Sequence, residues 1–161
     1  MTNTSLETHF SGALFEFLEE TFETHHGFYL DKGTSLFETL STVSATEASR
    51  PVSASCASVA AQVNHVTYYL DVLRSDIAGK EFGEVDWSLA WRIGPVSDEE
   101  WTDLVQKLRD GISETRTVLK SANWDSEDHV YGAIAILVHT AYHLGEIRQA
   151  LCTISNARRE Q

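Results

Sequence analysis

Two histidines lie four residues apart in the segment His-Thr-Ala-Tyr-His-Leu-Gly-Glu-Ile-Arg, which covers residues 139–148. Residues at this spacing share one face of a helix, with Cβ atoms about 5–6 Å apart. Two imidazoles so placed can turn their nitrogens onto one metal ion, at about 2.0–2.1 Å. His139 and His143 are therefore a candidate half of a metal site. The spacing alone is weak evidence, because the chain has seven histidines and such a pair is not surprising by chance.

A third ligand would have to come from the inner face of another helix, and His65 is the best candidate. It lies one position before the apolar residue Val66, at the edge of the predicted buried face. By itself, a histidine there is more often a core-edge residue hydrogen-bonded to a neighbour. The other histidines are poorer candidates, since they fall at a helix end, in a turn or far from the pair: His9, His25, His26 and His129.

Four long helices can be read from apolar residues that recur at three- and four-residue steps. The first predicted helix ends near residues 25–27, and the second runs from about residue 53 to residue 77. The third begins with a capping box of Ser97 and Glu100, and the fourth extends from about Ser126 towards residue 154. Capping boxes of Ser35 with Glu38 and of Ser44 with Glu47 predict short helical turns between the first two. No alternating pattern supports a sheet.

The predicted fold is an all-α four-helix bundle with a long crossover connection, in a single domain over residues 1–161. The connection at residues 120–126 is short enough to join antiparallel neighbours. The two earlier connections are much longer than usual, and the second carries glycines together with Trp87 and Trp91. At least one of them can travel the length of a bundle, so we expect an order other than plain up-down-up-down. On general grounds, these tryptophans and Trp101 are expected to serve as lid and core packing, with a place at a dimer interface or a pocket rim as the alternative.

Composition narrows the range of partners. Twenty-four acidic and twelve basic residues give a formal charge of −12, which repels phosphate backbones and argues against nucleic-acid binding. No apolar run approaches the roughly 20 residues of a membrane span. The first residues lack the basic and apolar stretch of a secretory signal, so we expect a cytoplasmic protein. Cys56 and Cys152 lack CxxC spacing and are expected to be small buried residues in a reducing compartment.

The pattern H-x-x-x-H-x-G-[QE]-I-R in the last helix, a histidine midway along the second helix and a crossover with tryptophans resemble the DinB/YfiT-like superfamily of metalloenzymes. The most specific match is residues 143–149 after His139. This resemblance covers nearly the whole chain and implies a four-helix bundle, a homodimer and a divalent metal held by His65, His139 and His143. It also implies a reaction class, thiol-dependent S-transfer or isomerisation with a low-molecular-weight thiol such as mycothiol, bacillithiol or glutathione.

Three neutral imidazoles leave a metal with open positions, which is typical of catalytic rather than structural zinc sites. Such a metal can act as a Lewis acid, activate water or hold a thiolate. We therefore expect a metal-dependent enzyme acting on a small molecule, with a transferase favoured over a hydrolase and with zinc or nickel as the first candidates. The alternative is a non-catalytic dimeric stress protein that binds a metal or small ligand. No residue is assigned a catalytic role.

Three further side chains could belong to the site. Tyr69 and Tyr142 could orient a substrate, although tyrosine on a bundle helix is more often packing. Glu146 occupies a position where the superfamily often has glutamine. Its carboxylate could support a histidine ligand, act as a base, or be a solvated residue paired with Arg148 or a neighbour. The sequence slightly favours the solvated interpretation.

Overall fold

A computed structural model describes residues 3–159 of the chain, with side chains described for residues 6–155. Its elements are α1 (Asn3–Phe22), α2 (Leu36–Leu40), α3 (Ala45–Ala48), α4 (Val59–Ile77), a 3₁₀ turn (Leu89–Trp91), α5 (Asp98–Lys120) and α6 (Glu127–Arg159). Residues 3–159 contain no β-strand, and the all-α prediction is confirmed. The proposed single domain also includes residues 1, 2, 160 and 161, which lie outside the described part.

The helix starts follow the predicted side-chain signals. Ser35, Ser44 and Ser97 each accept a hydrogen bond from the backbone N–H three residues later, and the glutamate at that position reaches back to complete the box. The second long helix, however, begins at Val59 rather than near residue 53. Ser58 is its N-cap and accepts from the Ala61 N–H. The serines before it favour local turns over helix, because their hydroxyls compete for backbone and neighbouring groups.

The long helices do not alternate in direction. Helices α4 and α6 are antiparallel, since Gln62 meets His143 near one end and Ile77 packs on Gly132 near the other. Helices α4 and α5 are parallel, because Leu70 packs beside Gly111 and Arg74, one turn later, pairs with Glu114 at 2.8 Å. The connection between α4 and α5 therefore returns along the molecule. The expected departure from up-down-up-down order is confirmed.

Buried apolar side chains from α1, α4, α5 and α6 form one core cluster. Its fully buried members include Leu18, Phe22, Val63, Leu70, Leu108, Ile112, Ile136, Leu144 and Ile147. At about 25 cal/mol per Å² of apolar surface, each such side chain contributes roughly 1.5–3 kcal/mol to folding. Because these residues recur at helical spacing, they fix which faces of α4 and α6 meet. The histidines lie beside them, at the seam between the two helices.

Helix α1 ends at Phe22, earlier than predicted, and the chain then wraps around the carboxylate of Glu20. This side chain is fully buried and accepts backbone N–H groups from Gly27 at 2.9 Å, Phe28 at 3.0 Å and Leu30 at 3.2 Å. Gly27 permits the turn with a φ of 87°, which side chains other than glycine rarely adopt. Burial opposes ionisation, but the backbone donors outweigh it and lower the pKa of Glu20.

Two other predictions concern the burial of the cysteines and the presence of membrane-spanning helices. Cys56 and Cys152 are exposed, so the prediction that they are buried is wrong. Cys56 lies in the non-helical segment before α4, and Cys152 faces outward from α6. Among the described helices, none combines the length and apolar character required to cross a membrane.

Candidate metal centre

The structure brings the three predicted ligands together at the seam of α4 and α6. The ring centroid of His65 lies 4.8 Å from those of His139 and His143, and the latter two are 4.5 Å apart. One candidate ligand atom from each residue lies within 4.8 Å of the others. Within the described residues, no other histidine joins this cluster.

Two nitrogens of the cluster are buried and have no hydrogen-bond partner: Nδ1 of His65 and Nε2 of His139. An unsatisfied buried polar atom costs about 1–3 kcal/mol, and native proteins usually avoid this cost. A divalent cation among the three rings would engage such nitrogens. The donor set also fits, because neutral imidazole binds zinc, nickel, iron and copper.

The third ring is held by a partner on its own helix. Nδ1 of His143 lies 2.9 Å from Oε2 of Glu146 and 3.4 Å from Oε1 of Gln62. Donation from the Nδ1–H to the carboxylate selects the tautomer whose Nε2 lone pair is free for a metal. The Tyr142 hydroxyl donates to the other carboxylate oxygen, Oε1 of Glu146, at 2.7 Å. Tyr142, Glu146 and His143 thus form a continuous hydrogen-bonded chain.

Of the three roles expected for Glu146, the structure supports contact with a histidine of the cluster. The carboxylate contacts His143 and Tyr142, so its partners are two neighbours on α6 rather than Arg148. Its side chain still keeps 40% of its surface exposed. The carboxylate therefore contacts both a histidine of the cluster and the solvent.

Aromatic side chains cover two of the histidines. The indole of Trp91 stacks on His65, with centroids 4.0 Å apart and planes 15° apart. The ring of Tyr69 lies 3.7 Å from that of His139. Asn64 fixes the 3₁₀ turn to α4 by donating from Nδ2 to the Ala90 carbonyl at 2.8 Å. These contacts place Tyr69 at the site, as the sequence suggested.

Trp91 lines a cavity, in line with the alternative of a pocket rim, but its stacking on His65 was not predicted. The sequence signal was the aromatic cluster in an otherwise glycine-rich connection. The neighbouring Trp87 lies farther out, with its ring 5.7 Å from that of Tyr69. Trp101 is a core residue, as expected, and its Nε1–H donates to the Val43 carbonyl at 2.9 Å.

The environment favours neutral imidazoles. Burial lowers the pKa of His65 to about 4, and repulsion from His143 adds to this effect. Burial likewise lowers the pKa of His139 to about 4, with further contributions from His143 and His65. Burial also lowers the pKa of His143, although Glu146 opposes the shift. At neutral pH the three rings are therefore in the form that binds metals.

A cavity of about 730 Å³ lies beside side chains that contact the histidines, although none of the three histidines lines it. Gln62, Trp91, Tyr142 and Glu146 line it, and each of these side chains also touches a histidine of the site. The remaining wall comes from the segment before α4 and from the last turns of α6: Val52, Ser55, Cys56, Ala57, Gly145, Gln149, Ala150 and Thr153. A cavity of this size accommodates a small molecule.

Comparison of the chain with protein-family models, curated proteins and solved structures gave no match.

Proposed function

We propose that the chain is a metal-dependent enzyme of the DinB/YfiT-like superfamily, with a divalent cation bound by His65, His139 and His143. The observation that carries this proposal is the convergence of three imidazoles with two buried, unpartnered nitrogens. Three protein ligands leave open positions, which is the pattern of catalytic sites. Zinc or nickel is the first candidate.

The proposed fold is the four-helix bundle with a crossover that this superfamily has. Parallel α4 and α5, joined by the long connection over residues 78–97, support it. So does the antiparallel pairing of α4 with α6, which carry the ligands. The homodimer is also part of the proposal, and the exposed apolar residues on the outer face of α6 offer surface for it: Tyr131, Ile134 and Val138.

The proposed reaction is thiol-dependent S-transfer or isomerisation of a small molecule, with hydrolysis as the second choice. A bound divalent cation would supply Lewis-acid chemistry to a substrate in the cavity. Glu146 holds His143 in position, and Tyr69 and Trp91 shield the inner rings from water. The Tyr142 hydroxyl, which donates to Glu146, stands between the carboxylate and the cavity, where its oxygen can accept a hydrogen bond from a substrate.

Metal analysis of protein purified without a histidine tag tests the first part. We expect one equivalent of divalent metal per chain after equilibrium dialysis against zinc or nickel. His65→Ala, His139→Ala and His143→Ala should each lose it, whereas His9→Ala, at an exposed position on α1, should retain it. A wild-type protein that takes up none of zinc, nickel or manganese would refute the proposal.

A second experiment tests the reaction. The metal-loaded protein is incubated with low-molecular-weight thiols and electrophiles, and thiol consumption is followed against metal-free protein and His65→Ala. Metal-dependent turnover supports the transferase. Stoichiometric metal binding with no turnover of any thiol or hydrolysable substrate would instead favour the non-catalytic binding protein.

A further inference from the structure

The wall of the cavity beside the histidines carries a negative charge and no positive charge. Glu146 is the charged residue among those that line it, and no lysine or arginine is present in its described wall. A second cavity between α4 and α6, of about 470 Å³, is lined by Asp76 and Asp128 and again by no basic residue. Cavities lined by lysine and arginine occur elsewhere, against α5. The surroundings of the site therefore favour positive over negative ligands.

The uncharged part of the wall presents aromatic surface. The Trp91 indole stacks on His65 but remains 40% exposed, and Tyr142 is 61% exposed. An aromatic face attracts a cation within about 6 Å of its centroid, most strongly in the case of tryptophan. Two exposed aromatic rings and a carboxylate thus line the same cavity. This combination of groups recognises ammonium and guanidinium compounds.

Glu146 retains acceptor capacity for such a ligand. Oε1 accepts from Tyr142 and Oε2 accepts from His143, but a carboxylate oxygen can accept more than one hydrogen bond. Its negative charge is not cancelled by a neighbouring lysine or arginine in the cavity wall. The pair of existing hydrogen bonds fixes the position of the carboxylate before a ligand arrives, which reduces the entropy cost of binding.

We propose that the cavity of about 730 Å³ binds a small organic cation, with Glu146 as its counter-ion and Trp91 and Tyr142 as aromatic walls. This names the substrate class for the proposed enzyme and rests on that proposal. Glu146 and the metal would then bind different parts of one molecule. Carboxylate-rich thiols find no complementary charge here.

The test uses a cation that cannot ligate a metal, benzyltrimethylammonium, beside neutral benzyl alcohol and anionic benzoate. Binding is measured at low salt by calorimetry and by tryptophan fluorescence, on metal-free and on zinc-loaded protein. We expect the cation to bind at least tenfold more tightly than benzoate to the metal-free protein. Tyr142→Leu should weaken cation binding several-fold, because it removes an aromatic wall at an exposed position.

Two substitutions of opposite charge at Gln149, which lines the cavity, distinguish the effect of a charge in the cavity from the effect of the protein's net charge. Gln149→Lys should weaken cation binding about three- to tenfold and Gln149→Glu should strengthen it by a similar factor, as expected for a unit charge several ångströms away. Glu99→Gln changes the net charge by the same amount as Gln149→Lys, but at the exposed start of α5. It should change cation affinity less than twofold.

Equal affinity for benzoate and the cation, or equal effects of Gln149→Lys and Glu99→Gln, would overturn the inference. Zinc stoichiometry is measured on the same samples. Loss of cation preference with normal zinc binding therefore refutes the substrate class alone. Absent zinc binding with an intact cation preference refutes the proposed metal enzyme instead.

Discussion

Replacement of Glu146 should weaken metal binding, although its carboxylate is not one of the three proposed ligands. The acid accepts a hydrogen bond of 2.9 Å from Nδ1 of His143, which fixes the ring orientation and raises the basicity of Nε2. Loss of such a partner of a metal-binding histidine typically weakens metal affinity by roughly 10- to 100-fold, or about 1.4–2.7 kcal/mol. We therefore expect Glu146→Leu to raise the zinc Kd by about that factor.

Glu146→Gln should have a smaller effect, because its amide oxygen can still accept from Nδ1 while the negative charge is lost. We expect a loss of a few-fold. Gln62, whose oxygen lies 3.4 Å from the same nitrogen, is the remaining acceptor in Glu146→Leu. Glu146→Leu combined with Gln62→Leu should therefore lose more affinity than Glu146→Leu alone.

The assay is competition for zinc with a chelator of known affinity, on protein prepared metal-free. The absorption spectrum of cobalt-substituted protein reports whether the same ligands are used, and urea unfolding of the metal-free variants reports folding. Glu99→Leu, at an exposed position on α5, is the matched control and should leave the zinc Kd unchanged. The reasoning fails if Glu146→Leu is folded and binds zinc as tightly as the wild type.

Three further outcomes are expected. The metal-free protein should lose stability as the pH falls from about 6.5 to about 4, because the pKa values of His65 and His139 are lowered to about 4 on folding and the unfolded chain binds more protons in that window. Urea titrations at several pH values measure this, and a flat profile would contradict it; zinc should shift the loss to lower pH by mass action. Glu20→Gln should destabilise the fold by about 1–3 kcal/mol, since charge-assisted bonds to the backbone N–H groups near Gly27 are weakened, and an unchanged unfolding midpoint would show that the cradle contributes nothing. Asn64→Leu should free the 3₁₀ turn from α4 and make Trp91 fluorescence more quenchable by iodide, with Trp91→Phe in the same background as the control for the other tryptophans.

The parts of the structure that the sequence predicted are those with short-range or periodic signals. His139 and His143 share a helix face by their spacing, and the three serine–glutamate capping boxes require only residues three apart. The prediction of His65 required one long-range assumption, namely that its helix packs against the last helix with His65 facing inward. The apolar stripe beside it supplied that information, because it determines which face is buried.

The start of α4 and the end of α1 were less predictable, for a common reason. Both depend on competition between helix and local polar contacts. The serines before Val59 have acceptable helix propensity, but their hydroxyls stabilise turns equally well. Beyond Phe22, the chain abandons the helix because four backbone N–H groups can reach the Glu20 carboxylate. No rule of residue spacing predicts that backbone N–H groups up to ten residues later will bind the carboxylate of Glu20.

The contacts of Glu146 and Trp91 could not be predicted from the sequence, for two different reasons. Glu146 is three residues after His143, so their proximity on one helix was foreseeable, but the choice between histidine and solvent depends on side-chain rotamers. Trp91 lies in a connection without periodicity, and its place over His65 follows from a tertiary contact of Asn64 with Ala90. Because the helices carry the three histidines and the connection carries Trp91, these residues can be varied separately, whereas Glu146 on α6 should influence both metal affinity and ligand affinity. Changes in the connection should therefore alter what the cavity binds more than whether the histidines hold a metal.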